Sequence, residues 1–248
     1  MSGHSKWATI KRQKGKTDAA RANVFTKIGR ELAVAVKAGG PDPNNNPRLR
    51  DVIAKARAAN MPNENITRSI KKASGEDGNV NYDAMTYEGY GSGGVAVIVE
   101  TLTDNKNRTA ASVRHIFDKC GGSLGTTNCV SYMFDQKGVI TVERKAGDDE
   151  EEVMMLALDL GADDFDSTDS EFYVTVTPSA LDTVREGLEN AGKTILLAEV
   201  QRVPSSTVDV DEGTVVKIKR MLDMFDDDDD VQNVYHNANL PDEEDDDE

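Results

Sequence analysis

The sequence predicts an α+β protein with an N-terminal three-helix lobe and two ferredoxin-like α+β lobes, one inserted in the other. Three observations predict this class. Apolar residues recur at helical spacing through about the first 78 residues. Residues 138–203 then read strand, helix, strand, strand, helix and strand, which is the order of the ferredoxin-like split βαβ unit. Strand and helix patterns flank this unit on both sides and supply a second set of the same kind.

The first helix of the N-terminal lobe is predicted from Thr17 to about Ala38, because Gly39, Gly40 and Pro41 end its apolar pattern. Its apolar stripe has the spacing of a helix with one buried face. The residues of this stripe are Val24, Phe25, Ile28, Leu32, Ala35 and Val36.

Two shorter helices complete the predicted lobe. Asn46 is expected to cap the second helix, with Pro47 at its first position. After the turn at residues 60–62, Asn63 is expected to cap the third helix, which Gly75 ends. The second and third helices loosely resemble a helix-turn-helix, so major-groove recognition by the third helix remains an alternative.

Beyond Asn79 the apolar period changes from helical to alternating, which is typical of strands. Strands are predicted at YDAMTYEGY, GGVAVIVETLT and CVSYMF, with a helix from about Asn107 to Cys120 before the last of them. A further strand, a helix and the VQNVYH strand follow residue 203. The predicted boundaries are 1–78 for the basic helical lobe, 79–136 with 204–240 for the discontinuous lobe, 137–203 for the inserted lobe and 241–248 for an acidic tail.

The charge distribution indicates a polyanionic partner for the N-terminal end. Residues 1–75 contain sixteen Lys and Arg against five acids, a net charge of +11 within a chain of net charge −16. The remaining residues therefore carry −27, with acidic runs at 226–230 and 242–248. A basic end directed at nucleic acid and an acidic remainder that limits non-specific binding would explain this split.

All three predicted helices place cations opposite or beside their apolar stripes. Exposed helix faces usually mix charges of both signs, and the excess of bases here favours contact with nucleic-acid phosphates over a merely solvated face. The candidates are Lys16, Lys27, Arg30 and Lys37 on the first helix, Arg48, Arg50, Lys55 and Arg57 on the second, and Arg68, Lys71 and Lys72 on the third.

The segment before the first helix holds the single tryptophan among further cations. Trp7 could stack on a nucleobase, or it could pin the N-terminal arm onto the helices. The cations that would follow the phosphate backbone are Lys6, Lys11, Arg12, Lys14 and Lys16.

A second candidate site lies at and along the predicted helix from about Asn107. A phosphate could bind near the start of this helix, and an interdomain contact is the alternative. Its residues are Asn105, Asn107, Arg108, Arg114 and His115.

Nothing in the sequence predicts catalysis, a metal or a cofactor. The three histidines are far apart, and none forms a ligand pair at metal-binding spacing. The run Asp226–Asp230 lacks the spacing and the glycine of an EF-hand loop, so it is predicted to be solvated. No apolar stretch is long enough for a signal peptide or a membrane span, and a cytoplasmic protein without a membrane partner is expected.

Six segments together resemble the YebC/PmpR family, and the resemblance extends from the N-terminus to about residue 237. They are GHSKW at 3–7, FTKIGREL at 25–32, NPRLRDVIAKARAANMP at 46–62, YEGYGSGG at 87–94, DNKNRTAASVRHIFDKCGGSLG at 104–125 and VYHN at 234–237. The resemblance implies a three-lobed fold, no enzymatic activity and a role in gene expression.

The resemblance leaves two functions open. It favours a DNA-binding transcriptional regulator, and the alternative is a ribosome-associated translation factor that binds ribosomal or transfer RNA through the same basic lobe. A small-molecule sensor built on the α+β lobes is a third hypothesis, although no residue identifies a ligand. The α+β lobes are expected to contact a partner or a second copy of the chain. The acidic tail is hypothesised to compete with nucleic acid for the basic lobe.

Overall fold

The structure is a computed structural model that describes residues 18–75 and 81–241. The chain divides into two compact units. One unit contains the N-terminal helices and the first sheet, within Arg12–Tyr132 and Val208–Ala238, and the other is built on Met133–Thr207. Helices come first and antiparallel sheets follow, so the α+β class is confirmed. The predicted division into three lobes stays a prediction.

The helices of the described residues are α1 (Asp18–Gly39), α2 (Pro47–Ala58), α3 (Asn63–Ser74), α4 (Lys106–Lys119), α5 (Glu150–Asp159), α6 (Leu181–Asn190) and α7 (Glu212–Asp226). The strands are β1 (Asp83–Tyr90), β2 (Ala96–Thr103), β3 (Ser123–Leu124), β4 (Phe134–Glu143), β5 (Asp164–Ser167), β6 (Glu171–Val176), β7 (Ile195–Pro204), β8 (Val208–Asp209), β9 (Val231–His236) and β10 (Ala238–Asn239). Within the described ranges, none of these helices is long and apolar enough to cross a membrane.

Asn46 joins the first two helices. Its Oδ1 accepts the Leu49 N–H at 3.0 Å, which confirms the predicted cap of α2. Its Nδ2 donates to the carbonyl oxygens of Ala35 and Gly40, each at 2.8 Å. A Cβ at Gly39 would lie 2.7 Å from the Asn46 side chain, so glycine is required where the end of α1 meets this cap.

The three helices bury one continuous apolar core against one another. Ile28 and Leu32 of α1 pack with Leu49 of α2 and Ile66 of α3. The predicted cap of α3 was wrong, because Asn63 is the first residue of the helix and Pro62 occupies the N-cap position. The Pro62 carbonyl oxygen accepts the N–H of Ile66 at 3.2 Å, and so the helix starts without a side-chain cap.

The first sheet has the strand order β3-β1-β2-β9, and its pairs are antiparallel. The sequence predicts a second βαββαβ set here. The structure instead has β1, β2, α4 and β3 before the second unit, and α7 and β9 after it. Strands β1 and β2 form a hairpin joined by the short 3₁₀ turn Ser92–Gly94, in which Gly93 and Gly94 adopt positive φ values of 73° and 76°. Helices α4 and α7 pack against each other, with the Phe117 and Phe225 ring centroids 5.7 Å apart.

The strand predicted at CVSYMF is wrong. Residues Ser131–Met133 form a 3₁₀ turn, and the next strand begins only at Phe134. The backbone N–H groups of Asn128, Val130 and Ser131 donate to the Glu88 carboxylate instead of to a neighbouring strand.

The second unit has the predicted ferredoxin-like order. Its four strands run β5-β6-β4-β7 and pair antiparallel throughout, and α5 and α6 connect them in the βαββαβ sequence. Buried apolar side chains of both helices, including Val153, Ala157 and Leu188, pack on Ile140 and Phe172 of the sheet.

Candidate nucleic-acid interface

Helix α2 exposes three arginines. Leu49, Val52 and Ala56 form its buried stripe, because their spacing places them on one face. Arg48, Arg50 and Arg57 lie outside this stripe and are exposed. Lys55 is different: it is half-buried, and its Nζ lies 2.9 Å from Glu31 of α1.

Helix α3 carries its cations on the face opposite its buried Ile66. Lys71 and Lys72 are exposed in its last turn, where positive charge also interacts favourably with the helix dipole. Arg68 is exposed as well, and its guanidinium lies 3.4 Å from Glu64 one turn earlier. We define the outer cations as the exposed basic residues of these two helices: Arg48, Arg50, Arg57, Arg68, Lys71 and Lys72.

The cations of α1 have different surroundings. The Arg30 side chain is only 13% exposed, donates to the Leu102 carbonyl oxygen at 2.8 Å and forms an ion pair with Asp230. Its guanidinium also lies 5.3 Å from the centre of the Tyr82 ring. Lys37 donates to Asn81 at 2.6 Å. The face of α1 opposite the helical core therefore contacts the first sheet and the segment leading into it.

Asp230 is the centre of this contact. It is buried, and it accepts hydrogen bonds from Thr109 at 2.7 Å and from Arg108 at 2.9 Å in addition to the Arg30 pair. The Leu102 N–H donates to its backbone oxygen at 2.8 Å, at the start of β9. The prediction of a solvated run at Asp226–Asp230 is wrong for this residue, because the chain must turn inward there to enter the sheet.

The hydrogen bonds decide the ionisation of Asp230. Burial alone would raise the pKa of its carboxyl group, but hydrogen bonds from Arg30, Thr109 and Arg108 outweigh this effect and lower the pKa below its ordinary value. The pKa of the Glu88 carboxyl group is lowered in the same way. Burial raises its pKa, whereas the hydrogen bonds from Ser131, Val130 and Asn128 lower it further than burial raises it.

The residues of the second candidate site fall into two groups: some make hydrogen bonds and ion pairs within the protein, and the others are exposed. Asn105 caps α4 by accepting the Arg108 N–H at 3.1 Å, and the Arg108 side chain pairs with Asp104 and Asp230. Asn107, Arg114 and His115 are exposed. Arg108 and His115 also line a groove of about 570 Å³, to which Asp227, Asp228 and Asp229 contribute. The groove is acidic, so it does not suit a phosphate.

The structure brings only part of the predicted set to an outer surface. The outer cations are there, and Lys37 is exposed as well, although it donates to Asn81. Arg30 and Lys55 form ion pairs within the protein, and Lys27 is half-buried. The remaining predicted residues lie outside the described ranges: Lys6, Trp7, Lys11, Arg12, Lys14 and Lys16. Sequence reasoning missed Asp230 and Thr109, and a run of five aspartates gives no signal that its last member is buried.

No metal centre is evident in residues 18–75 and 81–241, where no group of three or more His, Cys, Asp or Glu side chains could hold an ion. The two cysteines of this region are free thiols.

Family models match nearly the whole chain. The N-terminal domain of the TACO1/YebC protein matches residues 5–76, and the TACO1/YebC second and third domain matches residues 82–238. The chain belongs to the TACO1/YebC family. The resemblance inferred from the sequence motifs is thereby confirmed.

Curated members of the TACO1/YebC family resemble the chain along their full length. A protein from Clostridium botulinum is 58% identical over 241 residues, which cover 97% of this chain and 98% of the relative. One from Acetivibrio thermocellus is 57% identical over 238 residues, with 96% and 98% covered. Each of these relatives is named a probable transcriptional regulatory protein.

A solved structure agrees with the fold. The crystal structure of a conserved hypothetical protein from Aquifex aeolicus superposes with a TM-score of 0.86 at 45% identity, covering 96% of this chain and 98% of that one.

Proposed function

We propose that this chain is a DNA-binding regulator of transcription that holds the phosphate backbone through its outer cations. The observation that carries the proposal is the charge of two neighbouring helices: residues 47–75 contain seven Lys and Arg and two acids. Six of these cations are exposed. The names of the Clostridium botulinum and Acetivibrio thermocellus relatives support the regulatory role.

The mechanism follows from the kind of contact that these side chains make. Lys and Arg neutralise phosphates and release condensed counterions, so binding weakens steeply as salt rises. Phosphate contacts orient a protein on the duplex without reading its bases. Arg48, Arg50 and Arg57 can in addition form bidentate hydrogen bonds with phosphate oxygens, because their guanidinium groups are planar.

The alternative is a ribosome-associated translation factor, for which the same outer cations would contact ribosomal or transfer RNA. Both functions use one surface and differ in the nucleic acid. Sequence-selective binding to duplex DNA at near-physiological salt favours transcription. Co-sedimentation with ribosomes together with weak, salt-sensitive duplex binding favours translation.

The test reverses charge at the outer cations. The double variant Arg50→Glu/Lys72→Glu should lose duplex affinity by about tenfold or more, with a shallower salt dependence, because two phosphate contacts become repulsive. The matched control Lys106→Glu/Lys145→Glu changes the net charge by the same amount at exposed positions outside α2 and α3. Affinity for duplex DNA and for ribosomes is measured for both variants by titration at several salt concentrations.

The control separates a local effect from a general one. Equal losses in the two double variants, or unchanged binding of Arg50→Glu/Lys72→Glu to both DNA and ribosomes, would overturn the proposed interface. Thermal unfolding of each variant verifies that the fold is retained.

A further inference from the structure

Helix α5 exposes a cluster of large apolar side chains. Met154, Met155 and Leu158 are 37%, 62% and 48% exposed, and all three belong to this one short helix. Leu158 follows Met154 by four positions and Met155 by three, so the three side chains are neighbours on one face. Single exposed apolar residues are ordinary on a protein surface, whereas a contiguous apolar patch marks a place where another molecule binds.

The opposite face of α5 fixes the helix in place. Val153 and Ala157 are buried in the core of the second unit. Asp149 caps the helix by accepting the Glu151 N–H at 2.9 Å and the Glu152 N–H at 3.3 Å. The apolar cluster is therefore not part of the core of this unit, and it is presented on an ordered helix. This arrangement reduces the conformational entropy that the cluster loses when a partner binds.

The charges around this cluster have one sign. Residues 148–192 contain fourteen Asp and Glu and a single base, Arg185, whose guanidinium lies 3.1 Å from Asp182. Helix α6 packs beside α5, and a Cβ at Gly187 would overlap the Leu160 side chain at the end of α5. Both helices expose acids: Glu150, Glu151, Glu152 and Asp159 on α5, and Asp182, Glu186 and Glu189 on α6.

These two properties define the chemistry of the partner. Exposed carboxylates repel phosphates, so nucleic acid does not suit this surface. A suitable partner brings apolar side chains to the methionines and leucine, and Lys or Arg to the surrounding carboxylates. An amphipathic helix with apolar residues at helical spacing and cations beside them supplies both from one element. Methionine side chains are flexible and polarisable, which suits contact with such a helix.

We propose that the α5 face, defined as Met154, Met155 and Leu158 with the exposed acids Glu151, Glu152 and Asp159, binds a basic amphipathic helix of a protein partner. Apolar contacts at the centre of this face supply most of the affinity. The surrounding charges accelerate association and make it salt-dependent. The face belongs to the second unit, whereas the outer cations lie on α2 and α3, so this inference does not rest on the function proposed above.

The experiment titrates the full chain into a fluorescent peptide of Leu and Lys that is about five helical turns long, with Leu at helical spacing. Fluorescence anisotropy at near-physiological salt measures binding. A scrambled peptide of the same composition has the same charge but no apolar stripe, and it should bind at least about tenfold more weakly. A Leu and Glu peptide with the original spacing should not bind, because its charge matches that of the α5 face.

Two pairs of variants locate the binding. Met155→Ser/Leu158→Ser should weaken binding of the Leu and Lys peptide by about tenfold or more, because two apolar contacts are lost. Val200→Ser/Val216→Ser, which changes exposed apolar residues of β7 and α7, should have no effect.

Charge reversal tests the acids of the face. Glu151→Lys/Asp159→Lys should weaken binding and flatten its salt dependence. Asp118→Lys/Asp229→Lys, an equal change of charge at exposed positions outside the second unit, should leave both nearly unchanged. Circular dichroism of each variant verifies that the fold is retained.

Three binding results would overturn the proposal: no binding of the Leu and Lys peptide, equal affinity for its scrambled form, or equal losses in the two serine double variants. Sedimentation equilibrium supplies a fourth. If the unchanged protein is a dimer that Met155→Ser/Leu158→Ser converts to a monomer, a second copy covers the face and the proposed partner is wrong. The variant Arg50→Glu/Lys72→Glu is measured in parallel and should bind the peptide normally, so the two proposals fail independently.

Discussion

Helix α1 and the pair α2 and α3 carry similar basic faces in the sequence but use them differently in the structure. Arg50 and Lys72 point to solvent, whereas Arg30 is 13% exposed and ion-paired with Asp230. The spacing of charges on a helix shows which face avoids the apolar core. It does not show whether that face meets water or another part of the chain, and this difference separates a candidate interface from an internal contact.

The internal contact has the features that a buried ion pair requires. Asp230 receives hydrogen bonds from Thr109 and Arg108 in addition to Arg30, so its carboxylate is well satisfied. A buried pair contributes little net stability, but removal of one partner leaves an uncompensated charge. The three predictions below test this contrast between α1 and the outer cations.

The largest effect is expected from Asp230→Ala. This change leaves Arg30 without its carboxylate in a partly buried site, and the free energy of unfolding should fall by about 3–5 kcal/mol. Asp229→Ala, at the exposed preceding position of the same acidic run, should change stability little. Urea unfolding of both variants checks this prediction. An equal loss of free energy of unfolding in the two variants would contradict the conclusion that Asp230 is the centre of this contact.

A smaller effect with a clear contrast is expected from Arg30→Met and Arg50→Met. The first should lower the free energy of unfolding by about 1–3 kcal/mol, because Asp230 retains its other donors. Arg50→Met should leave stability unchanged. It should reduce the slope of log affinity for duplex DNA against log salt concentration by about the amount that one phosphate contact contributes. If Arg30→Met instead lowered duplex affinity with no loss of stability, the distinction between the two faces would be lost.

The smallest effect concerns pH. Hydrogen bonding lowers the pKa of Asp230 and Glu88 in the folded protein, so the stability from their ionised forms is complete above their ordinary values of 3.8 and 4.5. It is lost as the pH falls through the lower folded values. The free energy of unfolding should therefore decline in acid, and less steeply in Asp230→Asn than in the unchanged protein. Urea unfolding between about pH 7 and pH 3 measures both slopes, and identical slopes would be the contrary result.

Local rules predicted much of the fold from the sequence. The Asn46 cap, the glycine end of α1 and the βαββαβ order of the second unit each depend on a few neighbouring residues or on a regular period. The errors arose where distant residues compete with local preference. Glu88 accepts backbone N–H groups of the segment that was expected to form the CVSYMF strand.

The same distinction applies to the candidate site. By itself, the sequence determined that the N-terminal helices are basic and that α2 and α3 carry cations away from their apolar stripes, because charge and helical period are local properties. Only the tertiary structure decided that Arg30 faces Asp230, 200 positions later, and that Glu88 accepts the backbone N–H groups of Asn128, Val130 and Ser131. Such pairings depend on how strands and helices pack, and no local pattern encodes which distant side chain becomes the neighbour.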